Sequence, residues 1–280
     1  MAAPPIRPAS HASHYDSPPQ LEEDPGARTW LTRGANFVIA VSRVSAGASL
    51  RRADNPDESA VLLPETGALI EAGGERVEAG PETLTIVPPG ASTVTARSDG
   101  LVVRVFSARA ADLAARAANA SAYAAGAPDV APLLPWPDPP GGFRLRHYKL
   151  ADHAKADSNM RIFRCTNLMI NVLAKRATAR DATKLSPHSH ADFEQASLAV
   201  QGTYVHHLRY PWTPDITAWR ADEHLEIGSP SVTVIPPNVV HTSRNIGGPG
   251  WLIDVFAPPR VDFSTKPGLV CNADEYPMPA

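Results

Sequence analysis

The chain repeats itself. Residues 80–90, GPETLTIVPPG, echo residues 228–238, GSPSVTVIPPN, at a constant offset. A glycine-led run lies upstream of each, GALIE at 67–71 and GTYVH at 202–206. An apolar run lies downstream of each, LVVRVF at 101–106 and WLIDVF at 251–256. Short β-branched runs punctuated by Gly and Pro, with little helical periodicity, describe antiparallel β-barrels or sandwiches. A duplicated pattern therefore predicts two such barrels in one chain.

Other segments set the expected boundaries. The 280-residue chain is long enough for two domains that each bury a core. Residues 1–25, rich in Pro, Ala and Ser, read as a poorly ordered, flexible arm. Residues 108–125 are Ala-rich and favour a short helical segment that covers a barrel end. The Pro-dense stretch that follows is too poor in backbone donors for central strands. These features predict an N-terminal barrel over 26–125, a linker over 126–145 and a C-terminal barrel over 146–280.

Bulk properties exclude several classes. The net charge is −3 without a basic stripe, which argues against a nucleic-acid partner. No run of about 18 apolar residues predicts a membrane span, and the first residues lack the apolar core of a signal peptide. The two cysteines, Cys165 and Cys271, have no metal-binding or redox spacing, so a reducing, cytoplasmic setting is expected.

The chemistry concentrates in the second copy. His188 and His190 are one residue apart on a β-rich segment, so their side chains share a face. His241 arrives on another such segment, just after the Pro236-Pro237 turn. Three imidazoles with one carboxylate or amide oxygen suit a first-row divalent metal with open coordination positions. Glu194 and Gln195 both lie within reach as the fourth donor, and as neighbours on a strand only one of them can face inward. Gln195 is preferred; as a neutral ligand it leaves the full cationic charge to polarise a substrate.

These residues resemble the two motifs of the cupin superfamily, and the resemblance extends over most of the chain as a bicupin. The first motif is carried by His188, His190, Glu194 or Gln195, and Gly202. The second is carried by Gly228, Pro236, Asn238, His241 and Asn245, with Asn238 where the motif usually has glycine. Asparagine tolerates the left-handed backbone that such a turn requires. The resemblance implies an all-β fold of two jelly-roll barrels, one divalent transition metal (Fe, Mn, Ni or Zn) in the C-terminal barrel, a small-molecule substrate and a homodimer. It implies a metal-dependent enzyme, with a non-haem Fe(II)-type dioxygenase as first choice. A non-redox isomerase, lyase or hydrolase is the alternative, and a non-catalytic ligand-binding bicupin the third reading.

In the first copy the position of His241 is taken by Thr93, and Arg52–Glu58 replaces the His pair with Asp54, Asp57 and Glu58 in a turn-like setting. That barrel is expected to lack a metal. Around the second site, His207, Arg209 and Tyr210 are the candidate catalytic residues. Arg161, Arg164 and Asn171 are candidate substrate contacts, and Trp212 and Trp219 a candidate rim. His206 is expected to be a satisfied core or supporting group.

Overall fold

A computed structural model describes residues 6–279. In the first barrel a seven-stranded antiparallel sheet runs in the order Arg146–Lys149, Thr83–Val87, Ser59–Leu63, Gly100–Ser107, Phe37–Val44, Ala27–Arg33, Leu21–Asp24. A four-stranded sheet (Ser49–Arg52, Ser92–Ala96, Ala68–Ala72, Glu75–Ala79) faces it. Leu50, Leu63, Ile70, Val94 and Val102 fill the space between the two.

The second barrel is built on two long strands, Gln195–Arg209 and Val240–Phe256, which pair along most of their lengths. The first half of Gln195–Arg209 also pairs with Ser231–Ile235, and its second half with Glu223–Ile227. The bend between the halves is a register shift spanning Ala199, Gln201 and Thr203. Gly202 sits there at φ 90°, and a Cβ on it would lie 2.4 Å from the carbonyl oxygen of Pro249. Gly202→Ala is therefore expected to destabilise the fold by at least the ~1–3 kcal/mol that a strained backbone residue costs, read from a denaturant midpoint.

The repeat strands carry only apolar and small hydroxyl side chains, with no charged face, because both their faces are covered. Ser59–Leu63, Thr83–Val87 and Ser231–Ile235 are buried at every residue. In the first barrel Ile39, Leu62, Ile86 and Val105 turn outward from the sheet. They meet Phe163, Val172, Leu198 and Ile253 of the second barrel in one continuous core. The two barrels share this core, whereas inside the second Gln195, Ser197 and Asp254 line a cavity beside Leu252 and Phe256.

Two expectations are corrected and a third holds. Within the segment read as a flexible arm, Ser10–Ser13 is an edge strand on Ser231–Ile235 and Leu21–Asp24 pairs with Ala27–Arg33. Strand pairing satisfies backbone groups that the Pro- and Ser-rich composition gave no sign of. Residues 1–5 of that arm lie outside the described residues. The barrel boundaries also interleave: Arg146–Lys149, placed in the C-terminal barrel, pairs with Thr83–Val87 of the first, and Ser10–Ser13 belongs to the second. The Ala-rich segment forms the short helical segment expected of it, as helix Ala111–Arg116 and a 3-10 turn, Ala120–Tyr123. That helix covers Leu31, Val38 and Phe106 on the outer face of the sheet. Among the described residues no helix is long and apolar enough to cross a membrane.

Candidate metal centre

Backbone pairing brings the three histidines together. His188 and His241 form an isolated antiparallel bridge, His188 donating its N–H to the His241 carbonyl at 3.1 Å and accepting in return at 2.8 Å. Two residues on, the N–H of Asn238 donates to the His190 carbonyl at 2.6 Å. Asn238 holds φ 64°, the left-handed conformation expected of the glycine substitute. The potential ligand atoms of His188, His190 and His241 all lie within 4.8 Å of one another.

The ring orientations are fixed from outside. Nδ1 of His188 donates to the Ser186 carbonyl and Nδ1 of His241 to the Val239 carbonyl, both at 2.9 Å. This leaves each Nε2 with a free lone pair, the arrangement that metal-ligating histidines adopt. His190 stacks on Phe193 with ring centroids 4.5 Å apart. Burial pushes His190 down to about 3 and His241 down to about 4, so both rings are neutral and able to ligate at pH 7.

Gln195 and Glu194 part company by strand parity. Gln195 Oε1 lies 2.9 Å from His190 Nε2 and 3.3 Å from His241 Nε2. Its amide nitrogen donates to Asp254 Oδ1 at 3.0 Å and Ser197 Oγ at 3.1 Å, which aims the oxygen at the histidines. Glu194 points the opposite way: its carboxylate accepts from the Ala35 N–H at 2.5 Å and the Tyr123 hydroxyl at 2.9 Å, and pairs with Arg7 at 2.8 Å. The alternative that put Glu194 among the donors is corrected on this geometry.

His188, His241 and Gln195 open onto a cavity of about 260 Å³. Arg176, Arg180 and Arg260 stand on its wall with Asn171, Tyr204 and Asp254. Burial raises the Asp254 carboxyl to about 6, partly offset by the Ser197 hydroxyl and Arg260. The amide oxygen of Asn171 is buried without a hydrogen-bond partner. Arg180 is tied to the Ser243 carbonyl at 2.9 Å and to Ser186 Oγ at 3.0 Å. Arg260 packs over Phe193, Phe256 and Phe263 and pairs with Asp262. Arg176 has no carboxylate partner among the described residues.

Of these, only Asn171 was singled out in the sequence. Asp254 and Ser197 had a readable signal: one acid interrupting the run WLIDVF, and a hydroxyl two residues beyond Gln195. The arginines had none, because loops carry them to the cavity.

The three candidate catalytic residues fall elsewhere. The register shift at Gly202 resets the alternation, so His206 and Leu208 face inward while His207 and Arg209 face out. His207 Nδ1 lies 2.8 Å from His224 Nδ1 on the outer surface, and Arg209 pairs with Asp222 at 2.7 Å. Tyr210 is buried, accepting from the Ala9 N–H at 2.9 Å and donating to Glu223 at 2.8 Å, so it anchors the N-terminal strand. His206 is buried beside Ser243 Oγ at 2.7 Å.

Arg161 and Arg164 are corrected too. Arg161 donates to the carbonyls of Val172 and Leu173, and Arg164 to that of Tyr276, so both brace backbone. Trp212 and Trp219 stack on each other at 4.6 Å in an exposed loop away from the cavity. In the first barrel Thr93 lies between Arg51 and Glu71 of neighbouring strands. Asp57 pairs with Arg109, and Glu58 accepts from Thr166 and Tyr276. Among the described residues, His188, His190 and His241 are the one such three-residue cluster.

No protein-family model and no curated protein sequence matches the chain. Solved structures do. The oxalate decarboxylase of Lactobacillus farciminis, in a formate complex, is 15% identical with a TM-score of 0.57, over 89% of this chain and 86% of that one. A Bacillus subtilis oxalate decarboxylase, described for its Mn(II) centres, is 13% identical with a TM-score of 0.59, over 95% and 83%. AerE from Microcystis aeruginosa is 8% identical with a TM-score of 0.57, over 85% and 96%. At such identities the likeness speaks for the fold, and the fold agrees with the duplicated motifs. By its architecture, then, the chain has a two-barrel, cupin-like fold.

Proposed function

We propose that the C-terminal barrel holds one divalent transition metal on His188, His190, His241 and Gln195 and acts as a metal-dependent enzyme on a small anionic, oxygenated substrate. Convergence of the Gln195 amide oxygen with the Nε2 atoms of His190 and His241, at 2.9 and 3.3 Å, carries this reading. The donors fit such an ion: burial keeps His190 and His241 neutral, His188 and His241 are oriented by backbone carbonyls, and the amide is oriented by Asp254. A divalent ion there supplies Lewis acidity toward a chelating oxygen and, if it is iron, redox chemistry with dioxygen.

The chain's own residues define the substrate. Imidazole and amide donors carry no negative charge to cancel that of the cation, and Arg176 and Arg180 add positive charge along the wall. A carboxylate or enolate is favoured in that field. Arg176 is free to take a second anionic group with charge-assisted hydrogen bonds, and the Asn171 amide can meet a neighbouring hydroxyl.

An Fe(II)-type dioxygenase is the first assignment, because a neutral donor set with open positions accommodates both a chelating substrate and oxygen. A non-redox lyase is the second, favoured by the structural likeness to oxalate decarboxylases. The free state of Cys165 and Cys271 supports a reducing, cytoplasmic setting for either.

Metal analysis of the purified chain, with an oxygen electrode and a panel of small mono- and dicarboxylates and enolisable ketones, separates the readings. Retained iron with substrate-dependent oxygen uptake supports the first. Oxygen-independent turnover with manganese, nickel or zinc supports the second. Ligand binding without turnover under any of these metals would sink both and leave a binding protein. Arg176→Ala is expected to weaken binding of the active carboxylate roughly 10- to 100-fold, the worth of a charged hydrogen bond of about 1.5–3 kcal/mol, with metal content unchanged.

A further inference from the structure

We infer that Glu194 is a positioning residue through which the first barrel and the N-terminal segment hold Gln195 in place; this rests on the metal reading above. Three separate segments converge on its buried carboxylate. Arg7, just ahead of the Ser10–Ser13 strand, pairs with it at 2.8 Å, and Arg7 is itself held by Asp129 of the linker through two contacts of 3.0 and 3.1 Å. The Tyr123 hydroxyl, from the turn after the short helix, donates at 2.9 Å. The N–H of Ala35, in the loop between two first-barrel strands, donates at 2.5 Å. That loop approaches closely because residue 34 is glycine: a Cβ there would lie 2.7 Å from Glu194 Oε2.

The adjoining chain is held by the same neighbours. Ala131 of the linker donates its N–H to the Asp192 carbonyl at 2.6 Å, and Asn36 of the first barrel donates to the Ala131 carbonyl at 2.8 Å. Gln195 is the first residue of its strand. Its backbone pairs with Ile235, but residues 191–194 just ahead of it lie outside any strand, so the entry into the strand is held by contacts from elsewhere. Glu194, locked outward, supplies that constraint: with residue 194 facing the first barrel, alternation turns residue 195 toward the histidines. Asp254 and Ser197, on the amide nitrogen, then aim its oxygen at the histidines.

The first barrel thus has a task in the site of its neighbour. Losing a group that orients a metal ligand typically weakens metal affinity by 10- to 100-fold.

The test is competition of Co(II) between full-length protein and a chromophoric chelator, with visible ligand-field spectra and a circular-dichroism check of folding. Glu194→Ala is expected to lower Co(II) affinity roughly 10- to 100-fold and to alter the visible bands as the amide oxygen leaves. Glu194→Gln, which keeps acceptors for Ala35 and Tyr123, should recover part of both. Arg7→Met perturbs the same lock from a partly exposed position and should shift affinity in the same direction, so the test stands even if Glu194→Ala does not fold. Asp222→Ala, which breaks only the outer Arg209 pair, serves as the unaffected control. Folded Glu194→Ala or Arg7→Met protein with wild-type affinity and spectrum overturns the inference while the metal reading stands. Wild-type protein that takes up no Co(II) overturns both.

Discussion

His241→Ala is expected to leave the purified protein without bound metal. The effect should exceed the roughly 10- to 100-fold loss that follows removal of an outer supporting group, because a donor itself is removed. His241 stands at the centre of the arrangement. Its ring centroid lies 4.4 Å from that of His188 and 5.1 Å from that of His190, and its Nε2 is the second contact of the Gln195 oxygen. The backbone bridge to His188 does not depend on the side chain, so the variant should fold and isolate the loss to the ion. Elemental analysis and competition titration read the result. Thr93→Ala, at the corresponding place in the first barrel, should bind as the unaltered protein does. Full metal retention by His241→Ala would show that the ring is no ligand.

Phe163→Ala should cost about 3–5 kcal/mol, the range for truncating a buried aromatic ring in a core. Phe163 is fully buried where the barrels meet, with Tyr148 and His153 each 5.0 Å away between ring centroids. Tyr148 lies on the strand that crosses from the linker into the first-barrel sheet. A typical domain is stable by only about 5–15 kcal/mol, so the loss is a large share of the total. The shared core carries a second consequence. Removing Phe163 should shift one cooperative transition, because neither barrel keeps a closed apolar face without the other. Denaturant unfolding followed at Trp30 in the first barrel and at Trp251 in the second checks this. Two well-separated midpoints would mean that the barrels fold independently.

Much of the site could be read from residues alone, because it rests on short-range rules. The echo of residues 80–90 at 228–238 requires two copies of one β-architecture. The one-residue spacing of His188 and His190 puts both rings on one face. Asn238 suits a left-handed turn, which the backbone there adopts. Each follows from alternation or from local backbone sterics, which act over a few residues and leave a pattern in the sequence.

Parity across a break was beyond that reach. The register shift around Gly202 decides that His206 faces inward and that His207 and Arg209 do not, and a bulge of this kind has no fixed sequence signature. Adjacency on a strand made Glu194 and Gln195 alternatives; only contact with Arg7, Ala35 and Tyr123, from three distant segments, turned one outward. Tyr210 looked chemical in its loop, but Ala9 and Glu223 occupy its hydroxyl. Arg176 and Arg260 reach the cavity through loops that no periodicity places. What the sequence determined was the number of barrels and the face that each histidine shares. What the tertiary structure decided was which polar groups meet across it, since such meetings depend on contacts between residues far apart in the chain.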